Sequence, residues 1–142
     1  MKYKAGYKYV LVEDITIMSP YRAENFAIRK TNLINACGGY VDLIGDGTMT
    51  IRKGYAWDGP SGPTIDTRSF MRGSLFHDVS YQLIREGFLK ANQRPIADDW
   101  LVFICYEDRM WTFSRWLVRW FLYGFGDNAV NPEHDSRIIE AP

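Results

Sequence analysis

His77 and Asp78 stand side by side in the run HDVSY, and Tyr81 follows three residues later. Imidazole is the side chain whose unperturbed pKa lies nearest neutrality. A histidine held by a carboxylate can therefore take up and return a proton near pH 7. The motif comes directly after GYAWDGPSGPTID, a glycine- and proline-rich stretch containing Asp58. Prolines stiffen such a stretch while the glycines beside them keep their conformational freedom. A second acidic spot, Asp98 and Asp99, lies about twenty residues on. An imidazole with nearby carboxylates behind a stiff loop can do acid–base chemistry.

The elements that must position these groups can be traced. Asp66 or Thr67 can cap a helix that runs to about Glu86 and stops at Gly87. Phe70, Ser74, His77, Tyr81 and Ile84 share one of its faces. Met71, Leu75, Asp78 and Gln82 lie on the next, so Asp78 is about 100° round from His77. A carboxylate beside Met71 and Leu75 needs a partner. Pro95 suits the first turn of a second helix over residues 96–111, opened by Asp98 and Asp99. A short connection lets that helix run back antiparallel, so that Asp98 or Asp99 faces His77. Trp100 to Tyr106 is apolar all round and marks the helix as central. A third helix is expected over residues 112–123, ended by Gly124 and Gly126.

The first third reads as strand. Residues 7–18 form one strand or two, 25–35 a further candidate. Runs at 39–43 and 48–52 flank Gly45-Asp46-Gly47, a hairpin signal because the turn needs positive φ. The expected architecture is α+β: a small N-terminal antiparallel sheet followed by a three-helix C-terminal part. The chain divides into a β-rich part (1–53), a Gly/Pro loop (54–67), a helical part (68–126) and an extended polar tail (127–142), all one domain.

Composition excludes some classes. Seventeen basic and 17 acidic side chains cancel, so no overall charge favours nucleic acid. No window nears the roughly 20 apolar residues of a membrane span. The start, MKYKAGYKYV, lacks the apolar run of a signal peptide. Cys37 and Cys105, far apart, are expected as thiols in a reducing compartment. Trp111, Trp116, Trp120 and Phe121, with Arg115 and Arg119, could face a lipid surface, but core or interface is the commoner role of such a strip. His134-Asp135 repeats the dipeptide in a polar tail without further ligand residues.

The residues from Gly54 to Pro63, then His77-Asp78-Val79-Ser80-Tyr81, then Ala97-Asp98, resemble a family of tailed-phage and prophage proteins known as domain of unknown function 1353. The resemblance covers roughly residues 50–110. It implies a phage or prophage origin, with the protein in the host bacterial cytoplasm during infection or in the virion. More distantly, HDxxY after a glycine-rich loop, with a later helix aspartate, is similar to secretory and parvoviral phospholipases of the A-two class. That likeness implies His77 as general base, Asp98 or Asp99 as the carboxylate orienting it, and Tyr81 as hydrogen-bond donor to that carboxylate. It implies Asp78 as a calcium ligand together with loop carbonyls, and Asp58 could add a carboxylate. This loop carries two prolines and Asp58 where the phospholipases have a run of glycines, and Ser80 stands where secreted members have a cysteine.

Each motif also has a plain structural reading. Carboxylates belong in the first turn of a helix, where the dipole favours them, which explains at least one of Asp98 and Asp99. A lone HDxxY can be a satisfied core histidine. Two functions are therefore expected: a calcium-dependent hydrolase acting on a lipid or other ester, or a non-enzymatic phage virion or assembly protein on a hydrolase-like scaffold.

Overall fold

Side chains that alternate between buried and exposed build the first half of the molecule as sheet. The computed structural model describes residues 3–4, 9–28, 31–59 and 68–108. Seven strands appear there: β1 (Tyr3–Lys4), β2 (Tyr9–Leu11), β3 (Ile15–Met18), β4 (Leu33–Ala36), β5 (Val41–Ile44), β6 (Thr48–Ile51) and β7 (Ala56–Trp57). Two α-helices follow, α1 (Arg68–Arg85) and α2 (Arg94–Glu107). Short 3-10 turns lie at Ala23–Asn25, Cys37–Gly39 and Ala91–Gln93.

The strands form two antiparallel sheets, ordered β1-β2-β7 and β3-β6-β5-β4. In the larger sheet Ile34, Val41, Leu43, Met49 and Ile51 point inward. They join Leu75, Phe76, Val79 and Leu83 of α1 and Trp100 and Ile104 of α2 in one core cluster. Fully buried side chains of this size contribute about 1.5–3 kcal/mol each before entropy is counted. The helices are therefore seated on the sheet by the same residues that hold it together.

The fold is α+β, but the expected arrangement is corrected in two ways. There are two sheets, not one small one. Among the described residues there are two α-helices rather than a three-helix part; residues 112–123, where the third was expected, lie outside the described residues. The strip from Trp111 to Phe121, the tail and His134 lie outside them too. The second sheet arises because residues 7–18 split. Glu13-Asp14 interrupts the apolar run, and Asp14 accepts the Lys53 backbone N–H at 2.9 Å. This sends β2 and β3 to different sheets. Ala56 and Trp57, expected as loop, instead pair with Val10 and Tyr9. Two residues carry no period, so that pairing left no pattern to read. Among the described residues of 25–35 the strand begins at Leu33. Upstream, Asn25 Oδ1 caps the Arg22 N–H at 2.7 Å and keeps Ala23–Asn25 in a 3-10 turn.

Two turns follow local rules. Gly47 has φ +103° and its N–H reaches the Ile44 carbonyl at 2.9 Å, closing the β5–β6 hairpin. Gly87, at φ +80°, ends α1 with Gly87 N–H on Ile84 O and Phe88 N–H on Leu83 O, the paired bonds of a Schellman motif. Cys37 and Cys105 are buried thiols in separate clusters, with no disulfide between them. No helix of the described residues is long and apolar enough to cross a membrane.

Candidate functional site between the two helices

α1 and α2 can approach closely because position 73 has no side chain. A Cβ built on Gly73 would lie 2.6 Å from Leu101 Cδ1 and 3.1 Å from Cys105 Sγ. One turn further along α1, His77 faces α2. Its Nε2 lies 2.8 Å from Asp98 Oδ1, and the Tyr81 hydroxyl donates to the same oxygen at 2.6 Å. The His77 and Tyr81 rings are 4.0 Å apart between centroids. Of the two acidic residues that could face His77, Asp98 does so and is buried, whereas Asp99 is exposed. One residue along a helix is a rotation of about 100°, enough to exchange seam for solvent.

The ring's tautomer follows from its partners. An ionised carboxylate only accepts hydrogen bonds, so Nε2 carries the proton and Nδ1 keeps a lone pair. Nδ1 is 4.0 Å from Asp78 Oδ1, too long for a hydrogen bond, and remains the basic nitrogen. The His77 side chain is 10% exposed. Burial pushes its imidazolium down, but attraction to Asp78 and Asp98 outweighs this and the net direction is up. Burial also pushes the Asp78 carboxyl up, with the charge of Asp58 adding to it, while His77 and Arg85 pull it down. Its side chain is one-third exposed, so solvent softens that push. Tyr81 is driven far above the usual phenol range, first by burial and then by its bond to Asp98.

α1 is clamped on both sides of His77. Three residues before it, Ser74 Oγ accepts the Trp57 indole N–H at 3.2 Å and donates to Met71 O at 2.9 Å. Five residues after it, Gln82 accepts the buried Tyr55 hydroxyl at 2.9 Å and donates to Glu86 at 3.0 Å. Glu86 in turn accepts the Cys37 backbone N–H at 3.0 Å. The smaller sheet and the left-handed turn at Cys37–Gly39 thus fix the register of the helix that carries the imidazole. Gly59, at φ +80°, packs against the Tyr9 ring, and a Cβ there would come within 2.3 Å of it.

Asp58 is exposed at the end of β7, close enough for its charge to act on Asp78. Among the described residues no group of three or more His, Cys, Asp or Glu side chains is placed to hold a metal. Residues 60–67, which include part of the loop expected to supply carbonyls, lie outside the described residues.

Two members of the site were not anticipated. Arg94 Nη2 stands 3.8 Å from Asp98 Oδ2, and its i, i+4 spacing could have signalled it. Tyr21 is fully buried, edge-on to Trp100 at 5.9 Å, with its hydroxyl pushed up first by burial and further by the charge of Asp98, while Ser80 opposes. It follows Ser19-Pro20 in a segment without periodicity, and nothing in the sequence marked it.

Compared with known proteins, the chain matches no family model, no curated protein and no solved structure.

Proposed function

We propose that this protein is a phage-encoded hydrolase acting on a lipid or other ester, with His77 as general base. The observation that carries the reading is the His77–Asp98–Tyr81 constellation, with Nε2 committed to Asp98 at 2.8 Å. In this reading Nδ1 takes a proton from water as the water oxygen bonds to the ester carbonyl carbon. The carbonyl electrons move onto oxygen. When they return, the bond to the alkoxide breaks and the proton passes from Nδ1 to that leaving oxygen. Asp98 stabilises the imidazolium that forms in between, and Tyr81 keeps the carboxylate from turning away.

Calcium enters as the cation that Asp58 and Asp78 would hold, since their like charges oppose each other and their oxygens suit a hard ion. When bound it would supply charge stabilisation to the carbonyl oxygen. The phage or prophage origin rests on the resemblance of the loop, the HDVSY run and Ala97-Asp98 alone.

The test is cleavage of phospholipid vesicles and of a soluble ester, with and without added calcium. His77→Ala should lower turnover by about 10²–10⁴-fold, the usual range for a general base. Absence of cleavage, or cleavage indifferent to His77→Ala, would sink the reading.

One observation favours a second reading. His77 is only 8% exposed, and α2 presents Phe103, Tyr106 and Ile96 to solvent at 57%, 66% and 37%. A non-enzymatic virion or assembly protein would use such a face for a partner and keep the buried triad as scaffold. A stable partner complex unchanged by His77→Ala would support it.

A further inference from the structure

Arg94 opens α2, where the helix dipole disfavours a cation. It also precedes Asp98, the reverse of the favoured carboxylate-then-cation order at i, i+4. Helix stability therefore gives only a weak reason for a guanidinium at this position. Even so, its side chain is only 15% exposed, and Nη2 comes to 3.8 Å from Asp98 Oδ2. The other oxygen, Oδ1, accepts from both His77 Nε2 and the Tyr81 hydroxyl. The last torsion of an aspartate is broad and roughly two-fold. A charge that draws one oxygen therefore decides where the other points. Buried polar groups with no water to replace a lost partner make that choice matter.

We propose that Arg94 is a positioning residue, which holds Asp98 Oδ2 and so presents Oδ1 to His77 and Tyr81. In the proposed reaction it acts by its charge on Asp98 and on the Tyr81 hydroxyl. At 3.8 Å the guanidinium acts on Oδ2 by charge rather than by a hydrogen bond, and it suits the task because it stays charged when buried. Its meaning for catalysis rests on the hydrolase reading. Its geometry does not.

The test is nitrogen-edited NMR of the full chain carrying His134→Gln, which leaves a single imidazole. The readout is the His77 Nε2–H resonance, shifted downfield and shielded from exchange by its bond to Oδ1, with Asp98→Asn as the reference for a lost charge. Arg94→Met should move that resonance toward the Asp98→Asn position or abolish it, while the backbone amide spectrum stays folded. Arg94→Lys should restore part of the shift. If Arg94→Met does not fold, Arg94→Gln replaces it.

An unmoved resonance in the uncharged variant overturns the proposal, and so does the absence of the resonance in the parent chain. Unfolding of every uncharged variant also overturns it, because Arg94 would then be structural. A moved resonance in a protein that cleaves no ester keeps this inference and removes the hydrolase reading. Cleavage with an unmoved resonance does the reverse.

Discussion

Two polar networks in this protein use the same side-chain types in opposite surroundings. On the outer face of the larger sheet, Asn35 donates to Asp42 at 2.7 Å and Arg52 reaches the other Asp42 oxygen. Asp14 stands 3.7 Å from Arg52, and both side chains are about half exposed, at 52% and 49%. Between α1 and α2, His77, Tyr81 and Arg94 converge on Asp98, whose side chain is 8% exposed. On the sheet, water can take the place of any partner removed. In the seam a lost partner leaves a buried donor or charge unsatisfied. The contrast shows that depth, more than the number of bonds, decides which network the fold depends on.

The sharpest way to break that contrast is a matched pair of truncations. Asp98→Ala should cost about 3–5 kcal/mol, because it leaves His77, Tyr81 and Arg94 facing an empty position inside the protein. Asp42→Ala should cost at most about 1 kcal/mol. Urea unfolding of the two variants measures both, and equal losses would erase the distinction.

Gly73→Ala tests the close approach that makes the seam. The added methyl meets Leu101 and Cys105. Overpacking of about 1–3 kcal/mol is set against a helix-propensity gain of about 1 kcal/mol, leaving a net loss of up to about 2 kcal/mol. A stabilised Gly73→Ala variant would show that the helices are not held apart by that methyl.

The pH dependence of stability sharpens the comparison further, since only the seam contains a described histidine. His77 has a folded pKa raised above its unfolded value. Its contribution is therefore fully present below the unfolded imidazole pKa and disappears as pH rises through the folded one. The difference in unfolding free energy between the protein and His77→Gln should shrink across that window, by roughly 1.4 kcal/mol for every pH unit that separates the folded pKa from the unfolded one. A difference that is flat with pH would contradict the assigned direction. For the proposed base the same upward displacement places the acid limb of activity above the ordinary imidazole range, with turnover lost as pH falls.

The smallest expected effect is at Asp78. Its folded carboxyl is pushed up by burial and by Asp58, so the ionised form opposes folding at neutral pH. Asp78→Asn should stabilise by less than about 1 kcal/mol, because the side chain is one-third exposed and screened. A fall in thermal midpoint would show that the charge is compensated by something in the fold.

Parts of this architecture were legible in the sequence. Gly45-Asp46-Gly47 announced the β5–β6 hairpin and Gly87 the end of α1, because positive φ is a local demand that glycine meets. That the later acidic pair can face His77 was also legible, since a short connection is long enough for the second helix to return beside the first. The split of residues 7–18 into two sheets was not, because it depends on Asp14 capturing the Lys53 N–H across the chain. Nor was the strand at Ala56–Trp57, whose partners lie more than forty residues away.

Residue types and spacing alone put a histidine, a tyrosine one turn on and an acidic pair on the next helix within possible reach of one another. The expectation that this pair opens the helix is corrected, since α2 begins at Arg94 and its first turn carries no carboxylate. Whether Asp98 or Asp99 would meet the imidazole was settled by packing. The two differ by about 100° of helix rotation. That rotation is set jointly by surfaces from distant parts of the chain: Gly73 against Leu101 and Cys105, Trp100 against Phe76 and Tyr21, and α1 against the sheet. No short window of sequence contains both surfaces of such a contact.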